Sequence, residues 1–300
     1  MTLSREVPLD AKSIEASRRR AFSETCDPSA YVPRDATEAA LASIRDWGES
    51  DEVGSTVAAL VGTPGLGKTM LLRVTESRIN AGAERFVADG GVLEGRVGRA
   101  RALYLPYAGL AVPDLAFWVQ GLLGIAPTTA ANGEESEVAM EALMDLGGGP
   151  VDPFFLLIDD ADSMPMETVQ ALLASLPRFD SPLRILIALN PDSKATRLFS
   201  ALHPLQPTDI LLRTRMSEAE TGVYLRERMR WAGLPRTEIE AVDDAAATRF
   251  HALSAGVPRR VHALASSLLA SLVEVRPAAF DEKQRREDWM GRPIEDDLET

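Results

Sequence analysis

Between two apolar runs the chain places GTPGLGKT, Gly62 to Thr69, and no other stretch narrows the possible fold as much. The run before it, Thr56 to Val61, is short, apolar and partly β-branched, which predicts a buried strand. The run after it, Met70-Leu-Leu-Arg-Val, starts a helix. The loop must therefore carry the chain from strand to helix through three glycines, a proline and a lysine. Gly62, Gly65 and Gly67 let the backbone turn its N–H groups inward, in conformations a side chain hinders. The helix beginning near Lys68 presents unpaired N–H groups and a positive dipole end.

That combination suits a polyphosphate. Lys68 adds a full charge against the β- and γ-phosphates, Thr69 offers a hydroxyl to Mg²⁺, and Pro64 stiffens the turn. The stretch matches G-x-x-x-x-G-K-[ST] in the strand–loop–helix context the motif requires. The expected nucleotide-binding set is Gly62, Pro64, Gly65, Leu66, Gly67, Lys68, Thr69 and Met70. The loop itself does not separate ATP from GTP.

Three further stretches belong with it. FFLLIDDADS, from Phe154, is a strand so apolar that both faces should be buried, and it ends in acids at the carboxyl edge of a parallel sheet. Asp159 is placed to hold Mg²⁺, Asp160 to orient or deprotonate an attacking water, and Asp162 to cap the next helix. ILIALN ends a second buried strand at Asn190, whose amide can hold a water or a γ-phosphate oxygen, or simply form a turn before Pro191. In SAGVPRRVHAL, Arg259 and Arg260 fall in the first turn of a helix, where cations oppose the helix dipole. A bound phosphate compensates that arrangement, with Arg259 reaching it; the plainer alternative is two solvated arginines.

Strands alternate with helices to about residue 214, and helices alone follow. The expected fold class is α/β: a P-loop NTPase with a three-layer core around a parallel sheet, followed by a small all-helical lid. The expected organisation is a helix-prone N-terminal arm over 1–30, a core over 31–214, the lid over 215–278 and an acidic tail over 279–300. Helices are expected over about 36–47, to about Asn80 after the loop, over AVPDLAFWVQGLLGI (111–125), before the Gly147-Gly-Gly run, and from Met166. In the lid they are expected from Ser217 to about Trp231, over about 239–253, and from Pro258 to about Val275. Strands are expected over about 101–107 and 210–214, and residues 81–100 read as a hairpin or an insertion.

The net charge of -13 disfavours a broad duplex-DNA surface, leaving Arg18-Arg19-Arg20 as a local patch or an ordinary solvated helix face. Cys26, the single cysteine, excludes an internal disulfide and suits a reducing cytoplasm. The first twenty residues lack the apolar stretch of a secretory signal, so a cytoplasmic location is expected.

With these elements in order the chain resembles the AAA+ ATPases. GTPGLGKT looks like Walker A, FFLLIDDAD like Walker B, Asn190 like sensor 1, and Arg259 in GVPRR like sensor 2. YLPYAGLAVPDLAFWVQGLLGI, MSEAETGVYLRERMRWAGLP and GVPRRVHALA extend the likeness to ExeA/GspA-type general secretion ATPases and TniB/TnsC-like transposition helpers. The resemblance implies an ATPase that uses ATP and Mg²⁺ and works as a ring or filament. It implies Tyr31 or Val32 against the adenine and a neighbour's arginine completing the site, with Arg197, Arg213 and Arg215 as candidates. It also implies a protein partner to be assembled or remodelled, through which any membrane role would run. One departure is that the usual acidic pair of Walker B reads Asp159-Asp160, the second acid one methylene shorter than glutamate.

Overall fold

The computed structural model describes residues 11–50, 56–88, 100–111, 114, 117, 154–175 and 183–274. Among them, five strands form one parallel sheet in the order β2-β3-β4-β1-β5. The strands are β1 (Val57–Gly62), β2 (Arg101–Leu105), β3 (Phe154–Ile158), β4 (Leu183–Leu189) and β5 (Thr208–Leu212). The period of two sorts their side chains onto two faces. Phe154, Leu156 and Ile158 join Ile185, Ile187 and Leu189 on one side; Phe155 and Leu157 join Leu60, Leu186 and Ala188 on the other. Both faces are covered, which is why these strands read as nearly unbroken apolar runs. Each large side chain so buried contributes about 1.5–3 kcal/mol.

Helices α2 (Asp35–Glu49) and α3 (Lys68–Ala88) supply Leu41, Ile44, Trp47, Leu71 and Leu72 to one face. Helices α4 (Met166–Ser175) and α5 (Ser193–Leu202) supply Val169, Leu198 and Leu202 to the other. This is the expected three-layer P-loop NTPase core. The lid follows as α6 (Glu218–Trp231), α7 (Arg236–Glu240), α8 (Asp244–Ser254) and α9 (Pro258–Glu274). The expected cap of α6 forms in both directions: Glu220 N donates to Ser217 Oγ at 3.1 Å, and Ser217 N to Glu220 Oε2 at 2.8 Å.

Several boundaries differ from the sequence reading. The helix expected over 239–253 is two, because Asp243 caps a fresh start by accepting from Ala246 N at 2.7 Å. Helix α3 continues past Asn80, so 81–88 are helical, while 89–99 lie outside the described residues. Strand β5 begins two residues earlier than expected, where pairing of Thr208 with Ala58 sets its register. Helix α5 was absent from the sequence reading; the turn Asp192 makes by accepting from Lys194 N conceals its start. Of the helix expected over 111–125, only 111, 114 and 117 are described, the last two helical; the helix before Gly147 and the tail over 279–300 lie outside the described residues.

The N-terminal arm is fastened to the lid. Helix α1 (Ala11–Ala21) ends in Ala21 and Phe22, which pack with Leu225, Met229, Val261 and Ala265 of the lid. The Arg18 guanidinium reaches Glu238 at 2.7 and 3.2 Å, and Arg20 lies over the Trp231 ring at 4.4 Å. Two of the three arginines in that run are therefore engaged within the fold, whereas Arg19 is 80% exposed. Arg228, only 1% exposed, donates from Nε to Ala21 O at 2.8 Å and from Nη1 to Ala30 O at 3.0 Å. It thereby pins both ends of the strap formed by residues 21–30. Replacing Arg228 with Ala leaves those buried carbonyls unpaired; we expect a loss of about 2–4 kcal/mol in chemical denaturation. Amide exchange within 21–30 should accelerate well beyond that in the sheet.

Candidate functional site

A parallel sheet brings the carboxyl ends of all its strands to one edge. Here the edge carries Gly62 after β1, Asp159 after β3 and Asn190 after β4. The loop after β1 turns through Gly65 at φ 86 and Gly67 at φ 103, backbone conformations that only glycine adopts freely. At Gly65 space adds to the demand: a Cβ there would lie 3.0 Å from Arg259 Cβ and 3.1 Å from Val257 Cγ1. Helix α3 starts at Lys68, as the motif predicts.

Lys68 is 8% exposed. Its ammonium donates to Gly62 O at 2.6 Å and to Asn190 Oδ1 at 2.8 Å. Burial lowers its pKa, while Asp159, Asp162 and Asp160 oppose that shift. A buried cation with neutral hydrogen-bond partners is a prepared anion site. Asp159 is 4% exposed and accepts from Asp160 N and from the Tyr104 hydroxyl, each at 3.0 Å. Those bonds hold the carboxylate in one rotamer beside Lys68. Asp160 sits at φ 46, and burial with the charges of Asp159 and Asp162 raises its pKa.

Expected site residues from every element meet in one cleft of about 370 Å³, within the range of small-ligand pockets. Lys68, Thr69, Asp159, Asp160, Asn190 and Arg259 all line it, with Pro64, Gly65, Leu66, Gly67 and Met70. Tyr31 and Val32 line it too. Gly62 supports the cleft from beneath, as the carbonyl partner of Lys68. The first turn of α9 touches the loop directly, with Arg259 N donating to Gly65 O at 3.3 Å. Asp162 caps no helix, contrary to the sequence reading; its Oδ2 accepts from Asn190 Nδ2 at 3.0 Å.

The residues present fit a magnesium–nucleotide ligand. A Cβ would crowd Leu212 O at Gly62 and Arg259 at Gly65, Lys68 offers its charge, and Thr69 and Asp159 are hard oxygen donors that could hold the metal.

Arg34 closes the segment Tyr31-Val-Pro-Arg34 that the resemblance places at the adenine; 7% exposed, it donates from Nη2 to Leu66 O at 2.8 Å and so ties that segment to the loop. Other lining residues escaped the sequence reading. Glu24, Thr25 and Cys26 of the strap close one side. Tyr224 and His262 of the lid close another, with the Tyr224 hydroxyl 2.8 Å from His262 Nε2. None carries a local signal, because each reaches the cleft only through docking of the arm and the lid.

No protein-family model matches the chain, and no curated protein matches it by sequence. Solved structures do. Orc1 of Aeropyrum pernix, solved in complex with DNA, superposes with a TM-score of 0.59 at 17% identity, over 87% of this chain and 65% of that one. The shared architecture is the α/β P-loop NTPase core followed by a helical lid. The Thermotoga maritima RuvB Holliday junction branch migration motor aligns at a TM-score of 0.48 and 16% identity, over 81% of this chain and 64% of that one. C. elegans PCH-2 aligns at 0.48 and 16%, over 86% and 67%. The chain thus spans slightly less than two thirds of the Orc1 and RuvB chains. Among the described residues, no helix is long and apolar enough to cross a membrane.

The His262 ring also bonds to the Ser23 backbone, and burial beside Arg228 lowers its pKa to about 4. The unfolded chain therefore binds a proton near pH 6.5 that the folded lid refuses. Stability from this neutral histidine is complete above pH 6.5 and is lost as pH falls toward 4, by on the order of 3 kcal/mol. We expect His262→Gln to flatten the fall in melting temperature between pH 6.5 and 4.5 relative to the unaltered protein.

Proposed function

We propose that this chain binds ATP with Mg²⁺ and hydrolyses it, coupling the nucleotide state to assembly or remodelling of a partner complex. The observation that carries this reading is the buried Lys68 ammonium in the glycine loop, hydrogen-bonded to neutral groups only, with Asp159 lining the same cleft. Water attacks the γ-phosphate in line; Lys68 stabilises charge on the transferring group, and Asn190 and Asp160 place the water. Magnesium, held by Thr69 and through Asp159, supplies further neutralisation of phosphate charge when bound. Tyr31 and Val32 take the base. Arg259 reports the phosphate to the lid, and its helix start already bonds to Gly65.

The output side rests on resemblance: the likeness to general secretion and transposition helper ATPases motivates an oligomer and a protein partner. Arg197, Arg213 and Arg215 are all exposed and available to a neighbouring subunit. The location that suits this work is the cytoplasm.

A second reading is a nucleotide-gated scaffold that turns over slowly, favoured by one observation. Position 160 lies in the left-handed region, at φ 46 and ψ 39, where a short Asp is tolerated better than a longer acid. The third reading, a DNA-dependent helper, is disfavoured by the net charge of -13 and is tested by binding to duplex DNA that weakens steeply with salt.

Lys68→Ala should abolish nucleotide binding or reduce turnover at least 100-fold, a loss of about 2.7 kcal/mol or more; unchanged ATP turnover rejects the mechanism. Asp160→Glu tests the scaffold reading: a large gain in turnover favours it, and the absence of a gain removes its support. Size measurement without nucleotide, with ADP and with a non-hydrolysable ATP analogue tests the coupling to assembly.

A further inference from the structure

Asn190 has two ends of nearly equal shape and opposite polarity. Its Oδ1 accepts from the Lys68 ammonium at 2.8 Å, and its Nδ2 donates to Asp162 Oδ2 at 3.0 Å. A cation on one side and a carboxylate on the other both demand the same orientation of the amide. Reversing it would set an amine against an ammonium and a carbonyl against a carboxylate. Asp162 is itself held: it lies in a short 3₁₀ turn, Ala161–Ser163, closed by Ser163 N and Met164 N donating to Asp160 O and Ala161 O. Its other oxygen, Oδ1, is buried without a hydrogen-bond partner in the protein. A carboxylate so placed makes its strongest side-chain contact through Asn190.

We propose that Asp162 is a positioning residue that locks the Asn190 amide with its carbonyl oxygen toward the phosphate end of the cleft. The proposal rests on the ATPase reading above and refines it. When the γ-phosphate takes over Lys68, the amide still faces the site with a lone pair. A lone pair suits a hydrogen of the attacking water and repels a phosphate oxygen. Asn190 is thereby assigned to the water, and Asp162 prevents the flip that would make it a phosphate donor. Asp162 touches no reacting atom in this scheme.

The test compares Asp162→Leu, which removes the acceptor, with Asp162→Asn, which keeps a carbonyl able to accept from Asn190 Nδ2. In nucleotide-free protein with ¹⁵N-labelled asparagine, one Asn190 side-chain proton should be protected from exchange, and Asp162→Leu should remove that protection. With the amide freed to flip, Asp162→Leu should bind ATPγS about tenfold more tightly relative to ADP while turning over ATP about tenfold more slowly. Asp162→Asn should stay within about threefold on both measures. Thermal melting of each variant identifies loss of fold, and the amide-proton measurement on the unaltered protein remains decisive in that case. Wild-type protection that is absent, a Leu variant indistinguishable from wild type, or an Asn variant as impaired as the Leu variant overturns the proposal. Failure of the unaltered protein to bind ATP defeats the ATPase reading instead, and leaves the amide-proton result to judge Asp162.

Discussion

Everything at the cleft depends on one buried positive charge. Lys68 is 8% exposed, and its close partners are a backbone carbonyl and a side-chain amide, not a carboxylate within hydrogen-bond distance. Keeping an ammonium there costs solvation that two neutral acceptors return only in part. The three aspartates nearby offset the rest at longer range, as the opposing influences on its pKa show. A phosphate brought to the loop would add a direct anionic partner that the protein's own hydrogen bonds to Lys68 do not supply.

The lid and the arm extend that logic outward. Arg259 N bonds to the loop at Gly65, and Arg34 bonds to it at Leu66, so both flanks of the cleft grip the same few peptide groups. Arg228 then fastens the strap over residues 21–30 to the lid. A shift of the lid would carry the strap with it and pull on the segment leading to Arg34. In this architecture the loop, the strap and the lid are joined through main-chain carbonyls that accept from Arg34, Arg228 and the Arg259 amide.

Much of the site was legible before the structure, for a physical reason particular to each residue. The glycines at 65 and 67 announce positive φ, which few other residues tolerate, and both adopt it. The apolar strand ahead of Asp159 announces a position at the sheet's carboxyl edge, and the acid is there. A cap is the natural reading of Asp162, since an acid four residues beyond a strand end satisfies local rules equally well; only the approach of Asn190 reveals its partner. Helix α5 was hidden behind its own turn, and the break at Asp243 looked like helix because alanines surround it. Tyr224 and His262 gave no signal, as burial of a polar side chain against distant chain is not a periodic property.

The sequence by itself determined a strand–loop–helix corner for phosphate, a parallel sheet covered on both faces and an all-helical end. These follow from local conformational freedom and from the spacing of apolar residues, which act within a few positions of each other. The tertiary structure alone decided which groups compensate Lys68, how the Asn190 amide is turned, and that the N-terminal arm belongs with the lid. Those outcomes pair residues up to 244 positions apart, as Phe22 with Ser266. Such pairings depend on hydrogen-bond geometry over a few ångströms, a quantity that exists only once the chain has closed on itself.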